Sequence, residues 1–149
     1  MCGISGFINK NLSDNKKQTL IKGLNELQVH RGPDFSGEWK NTNTHFFHQR
    51  LSLIDGNSRS NQPFFNADYV LCFNGEIYNF LALKQQLPTV NFTTTSDTEV
   101  LFQYLIHFGI EKTLRDIKGM FAFSFYDVKK KELFLVRDRF GIKPLFFVN

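Results

Sequence analysis

The chain has 149 residues, 18 basic against 14 acidic, a formal net charge of +4, and 42% hydrophobic residues. That is the size of one ordinary domain with enough apolar material to bury a core, which excludes a disordered segment. The one tight basic run, Lys129–Lys131, sits beside Asp127 at a turn, which excludes a nucleic-acid footprint, and no apolar stretch reaches the ~18 residues of a membrane span.

Two cysteines, Cys2 and Cys72, are too few for a disulfide framework. The first residues lack the charged and apolar regions of a secretory signal. The expected setting is therefore a reducing cytoplasm with both thiols free. The 18 phenylalanines suit sheets packed face to face.

In chain order, residues 3–8 read as a short buried strand. Ser13 or Asp14 caps an expected helix to about Val29, with Leu20, Ile21, Leu24 and Leu27 as its apolar stripe. His30–Asp34 breaks it. Residues 35–40 and 44–51 read as paired strands, and residues 55–63 as a loop. The apolar run Tyr69–Phe73 stops at Asn74-Gly75, a turn signal. Residues 79–87 form a short helix closed by Pro88. Ser96 and Glu99 have capping-box spacing ahead of a helix to about Phe108, ending at Gly109 and buried through Val100, Leu101, Tyr104 and Leu105. Residues 119–126 and 132–137 read as an apolar hairpin. Leu145–Val148 starts another strand. Strands and helices that do not alternate strictly predict an α+β layered architecture.

Cys2 carries a thiol and, once Met1 is removed, a free α-amine. A thiol titrates near ~8.5 and an α-amine near ~8, so the amine can accept the thiol proton near neutral pH. One residue then holds nucleophile and base together. Alone, a cysteine at this position is more often a small core residue.

The other motifs change that weighting. The tracts Met1–Phe7, His30–Asp34 with Gly37, Arg50–Asp55, Gln62-Pro63, Phe73–Asn79, Ser96–Val100, Gly119–Phe123 and Arg137–Leu145 resemble the class II glutamine amidotransferases, in family order and over nearly the whole chain. Phe73–Asn79 and Ser96–Val100 are similar to the asparagine-synthetase branch. The resemblance implies one amidotransferase domain over 1–149, a four-layer α/β/β/α sandwich of two antiparallel sheets of the N-terminal-nucleophile hydrolase type. The expected strand at the chain's end makes that domain incomplete at its C-terminus, with the synthetase domain absent.

The implied reaction is hydrolysis of L-glutamine to glutamate and ammonia through a Cys2 thioester. Asn74, through its amide, and Gly75, through its N–H, are the implied oxyanion donors; without the resemblance the pair reads as a hairpin turn. Arg50 is implied to clamp the substrate carboxylate and Asp97 to pair with its ammonium. As plain surface groups they are a strand-end arginine and a first-turn acid that suits the helix dipole. Further substrate contacts are implied for Leu51, Ser52, Leu53, Ile54 and Glu76.

His30, Arg31 and Asp34 read equally as ordering the pocket or as a turn held by internal ion pairs. His45, His48 and His107 lack metal-ligand spacing, and Cys72 reads as an inert core thiol. Asp138 and Arg139 are expected to ion-pair, with Asp127 and Glu132 on the hairpin surface. No metal or cofactor is implied for this domain; ATP and Mg²⁺ belong to a C-terminal or separate synthetase partner that takes the ammonia, and a homodimer stays open. The acceptor is aspartate in this branch, or a sugar or peptide carboxylate in related enzymes. A non-enzymatic structural or interaction module is the alternative.

Overall fold

A computed structural model describes residues 1–8 and 12–148. Strands β1 (Gly3–Ile8), β2 (Phe35–Lys40) and β3 (Thr44–Arg50) form one antiparallel sheet in the order β1-β3-β2. Strands β4 (Phe64–Phe65), β5 (Tyr69–Ile77), β6 (Gly119–Asp127) and β7 (Glu132–Arg137) form a second, antiparallel and in sequence order.

Period-two alternation sorts the strand residues between layers. Phe46 of β3, Val70 and Cys72 of β5, and Tyr126 of β6 meet between the sheets, joined by Ile4 and Trp39. The opposite face of the second sheet carries Leu71, Phe73, Phe121, Phe123 and Phe125. These pack on helix α3 (Asp97–Asp116) and on the short helix α2 (Phe80–Lys84). Val100, Leu101, Tyr104 and Leu105 are the buried stripe of α3, as their spacing predicts. Helix α1 (Asp14–Gln28) lies on the outer face of the first sheet. The result is an α/β/β/α sandwich, the α+β architecture expected.

Several local expectations are corrected. Strand β5 does not stop at Asn74-Gly75 but runs through to Ile77. A Cβ at Gly75 would lie 2.2 Å from the Met120 carbonyl oxygen and 2.6 Å from Phe121 Cα, so glycine lets β6 close on β5 rather than opening a turn. The stripe on α1 is shifted. Leu20 and Leu27 are exposed, at 41% and 72%, whereas Ile21, Leu24, Asn25 and Gln28 face the sheet more closely. Polar contacts join the apolar ones on this face: Gln28 Nε2 donates to the Ile4 carbonyl (3.2 Å) and Gln49 Nε2 to Asn25 Oδ1 (3.5 Å). Ser13 sits at the N-cap of α1 without a side-chain cap bond.

The helical backbone does break at Gly109, at φ 74°, but a second helical segment that was not expected follows and carries α3 on to Asp116. Only half of the capping box forms: Ser96 Oγ accepts from the Glu99 N–H, but the Glu99 carboxylate takes the N–H and hydroxyl donors of Thr93 and Thr94. Leu145–Val148 forms no strand. No described strand pairs with it, and Phe146, Phe147 and Val148 are exposed.

Asp138 and Arg139 do not pair. Asp138 accepts backbone N–H bonds from Phe121, Phe140, Ile142 and Lys143, while Arg139 donates to the Leu114, Arg115 and Ile117 carbonyls. Burial raises the Asp138 pKa, but those four bonds prevail and bring it down to about 2. Asp127 is buried and accepts the Lys130 N–H at 2.8 Å. Lys129–Lys131 does form the hairpin tip, with Lys129 bonded to Asp68 at 2.8 Å.

Candidate active site

Four elements converge on one cavity of about 250 Å³. The start of β1 brings Cys2, the end of β3 brings Arg50 and Leu51, the middle of β5 brings Asn74–Glu76, and the first turn of α3 brings Asp97. Leu53 and Ile54 line it too. Ser52 does not; its N–H is held by Asp34 Oδ2 at 2.7 Å.

Register explains the first meeting. Gly3 pairs with Gln49, so the chain just before β1 lies beside the chain just after β3. Cys2 Sγ accepts from the Leu51 N–H at 3.4 Å and, as a thiol, donates to the Leu51 carbonyl at 3.7 Å. Arg31 Nε donates to the Cys2 carbonyl at 3.2 Å. Arg31 and Asp34 thus hold the Cys2 backbone and the loop after β3, rather than each other.

Arg50 is buried and most of its guanidinium is already engaged. Nη1 donates to the Asn57 carbonyl (3.0 Å) and Asn61 Oδ1 (2.8 Å), and Nη2 donates to the Asp55 carbonyl. Three of its five donors are used, leaving Nε–H and one Nη2–H. The loop these carbonyls belong to is tied to the segment just ahead of α3 by Asp55, whose carboxylate accepts from the Thr95 N–H and the Thr95 hydroxyl as well as from the Asn57 N–H. The Thr95 and Asn57 N–H bonds hold that carboxyl well below the usual carboxylate range.

Asp97 is 4% exposed, and its Oδ2 accepts from the Ile77 N–H at 2.9 Å. Burial pushes its pKa up to about 6, with the Glu76 charge adding to the rise and the Ile77 bond opposing it.

Sequence reasoning did not single out Gln62 or Lys143, although both stand in the quoted motifs. Both are buried and line the cavity. The Lys143 ammonium donates to the Met1 thioether sulfur. His48 and Cys72 lie away from the cavity; burial raises the Cys72 thiol pKa to about 12. His107 bonds the carbonyl one turn back, and His45 bonds Glu38. Among the described residues no group of three or more His, Cys, Asp or Glu is placed to hold a metal, and no helix is long and apolar enough to cross a membrane.

Two antiparallel sheets between helical layers, with a thiol at the mouth of the first strand, are the architecture of the N-terminal-nucleophile hydrolase class. The chain belongs to the glutamine amidotransferase domain family, whose model matches residues 1–149. It is 39% identical over 155 residues to asparagine synthetase (glutamine-hydrolysing) 1 of Bacillus subtilis, covering 100% of this chain and 24% of that protein. It is 40% identical over 149 residues to asparagine synthetase B (glutamine-hydrolysing) of Escherichia coli, covering 98% and 26%. A putative asparagine synthetase 2 of Methanocaldococcus jannaschii is 33% identical over 99% of the chain and 32% of that protein. The chain thus spans about a quarter to a third of the length of these relatives.

Proposed function

We propose that residues 1–149 form the glutaminase half of a glutamine-hydrolysing asparagine synthetase, releasing glutamate and ammonia from L-glutamine. The observation that carries this reading is the convergence of Cys2, Asn74, Gly75, Arg50 and Asp97 on one cavity. Its volume suits a single amino acid better than a drug-sized ligand.

The remaining Arg50 donors, Nε–H and one Nη2–H, take the substrate α-carboxylate, and Asp97 takes the α-ammonium. Glu76 and the Leu51–Ile54 segment complete the substrate contacts, with Ser52 acting through its backbone. The amide carbon is then presented to Cys2. The Cys2 α-amine removes the thiol proton as sulfur attacks, and the carbonyl oxygen becomes an oxyanion held by the Asn74 side-chain N–H and the Gly75 N–H. The proton passes to the leaving nitrogen, which departs as ammonia and leaves a Cys2 thioester. Water attacks the thioester, glutamate leaves, and the thiol is restored.

While Met1 is attached, the Cys2 nitrogen is an amide and cannot accept a proton, so this chemistry requires Met1 removal. The ammonia acceptor is the carboxylate that a synthetase partner activates with ATP and Mg²⁺; the names of the relatives favour asparagine synthesis, carried out in the cytoplasm. Incubating the Met1-processed chain with glutamine tests the reading. Glutamate release that disappears in Cys2→Ala supports it, and a processed, folded chain that neither binds nor hydrolyses glutamine overturns it in favour of an interaction module.

A further inference from the structure

Strand β5 outruns its neighbour β4. Phe64 pairs with Leu71 and Phe65 with Val70, and there β4 stops. Beyond Leu71, the backbone groups of β5 that point away from β6 face no strand among the described residues. At Phe73 two side chains replace one. Gln62 Oε1 accepts the Phe73 N–H at 2.7 Å, and His48 Nε2 lies 3.1 Å from the Phe73 carbonyl oxygen. At Ile77 the Asp97 carboxylate takes the N–H. Residue 75 lies between them on the same edge, because outward-facing groups recur every second residue. Its cross-strand partner Phe121 turns its own N–H and carbonyl to Asp138. The Gly75 N–H is therefore aimed at the cavity.

The Phe73 grip is buried and built from several directions. Gln62 and His48 are 5% and 0% exposed. A Cβ at Gly37 would lie 2.0 Å from the Gln62 carbonyl oxygen, so β2 presses directly on the Gln62 backbone. Gln62 Nε2 reaches Thr98 Oγ1 at 3.5 Å, beside Asp97. A carbonyl can only accept, so the His48 proton resides on Nε2. Nδ1 is then a bare acceptor, buried and without a partner among the described residues. Burial keeps the ring neutral, with its pKa down to about 4 against the pull of the Phe73 bond. Leaving Nδ1 unpaired is unfavourable, and the arrangement keeps the Nε2 bond to Phe73.

We propose that His48 and Gln62 are positioning residues: they hold the backbone at Phe73 so that the Asn74 amide and the Gly75 N–H converge on the developing oxyanion. Neither touches the reacting atoms. The inference rests on the glutaminase reading of the cavity. A small displacement of such donors affects the transition state more than the bound substrate, and a shift near 1 Å costs on the order of 10²-fold in rate.

The test uses steady-state glutaminase kinetics on the processed chain. A glutamine side chain places its Nε2 where the His48 Nε2 lies, whereas an asparagine falls short. His48→Asn is expected to lower kcat ~10–100-fold while KM moves less than about threefold, and His48→Gln to restore kcat to within a few-fold. Gln62→Glu, which keeps the acceptor, is expected to retain more kcat than Gln62→Leu. Equal kcat values for His48→Asn and His48→Gln in folded proteins overturn the proposal, as does a loss confined to KM. If His48→Asn fails to fold, the Gln62 pair decides by the same kcat comparison. Cys2→Ala separates the two levels. Glutamate release that survives it sinks the glutaminase reading itself, whereas release that needs Cys2 but ignores His48 and Gln62 sinks only the positioning role.

Discussion

The carboxylate of Asp97 accepts the backbone N–H of Ile77 at 2.9 Å, which ties the first turn of α3 to the end of β5. Both flank the cavity, and burial with the nearby Glu76 charge raises the Asp97 pKa to about 6. Pairing with the substrate ammonium requires the ionised form. KM for glutamine should therefore rise as pH falls through about 6, and in Asp97→Asn it should be high and independent of pH across that range. A wild-type KM that is flat from pH 5 to 8 contradicts the assignment.

The same shift has a consequence for stability. The folded pKa lies above the unfolded one, so the protonated form favours folding; the ionised form opposes it fully above about pH 6 and not at all below the unfolded value near 4. Asp97→Asn should then stabilise the unliganded domain by about 1–3 kcal/mol at pH 7.5 and little at pH 4. Thermal unfolding at the two pH values checks this, and a variant destabilised at pH 7.5 contradicts it.

On the proposed reading Arg50 does two jobs with one planar group. Three of its Nη1 and Nη2 donors hold the Asp55–Asn61 loop, and the Nε–H and the remaining Nη2–H form the fork assigned to the substrate carboxylate. Lysine keeps the charge but lacks the fork geometry. Arg50→Lys is expected to raise KM ~10–100-fold and to lower the melting temperature by several degrees. Calorimetry beside kinetics reads both effects.

The two cysteines should differ sharply toward an alkylating agent. Cys72 is buried between the sheets with its thiol pKa pushed up to about 12 by burial, whereas Cys2 faces the cavity. Under native conditions one label per chain is expected, on Cys2, with Cys72 labelled only after unfolding. Peptide mapping distinguishes the sites.

The layers were legible in the sequence where a pattern was local. Short apolar runs and the turns between them marked β1, β6 and β7, residues 35–40 and 44–51 were read as the pair β2 and β3, and the spacing of Val100, Leu101, Tyr104 and Leu105 marked the buried face of α3. Errors arose where distant partners decided. The turn signal at Asn74-Gly75 was overridden by the approach of β6, whose Met120 carbonyl leaves no room for a side chain at residue 75. The apolar spacing of α1 pointed to Leu20, Ile21, Leu24 and Leu27; Leu20 and Leu27 turned out exposed, while Gln28 and Asn25 bond to the first sheet beside Ile21 and Leu24. The motifs brought forward Cys2, Arg50, Asn74, Gly75 and Asp97, which the fold gathers on one cavity, yet the contacts of Gln62 and His48 with Phe73 were not legible. They depend on β4 ending before β5, which neither residue's neighbours reveal.

Gly75→Ala offers a direct check on that register. The added methyl would meet the backbone of Met120 and Phe121, which cannot yield without parting β5 from β6. A loss of at least ~2 kcal/mol in denaturant-induced unfolding is expected. Unchanged stability contradicts the register.

The central claim is that Cys2 attacks glutamine once Met1 is gone. The most direct measurement is glutamate release from glutamine by the processed chain and its Cys2→Ala variant, with intact mass establishing the loss of Met1. Release by the former and none by the latter is the result expected. Equal release by both, or none from a processed and folded wild-type chain, would contradict it.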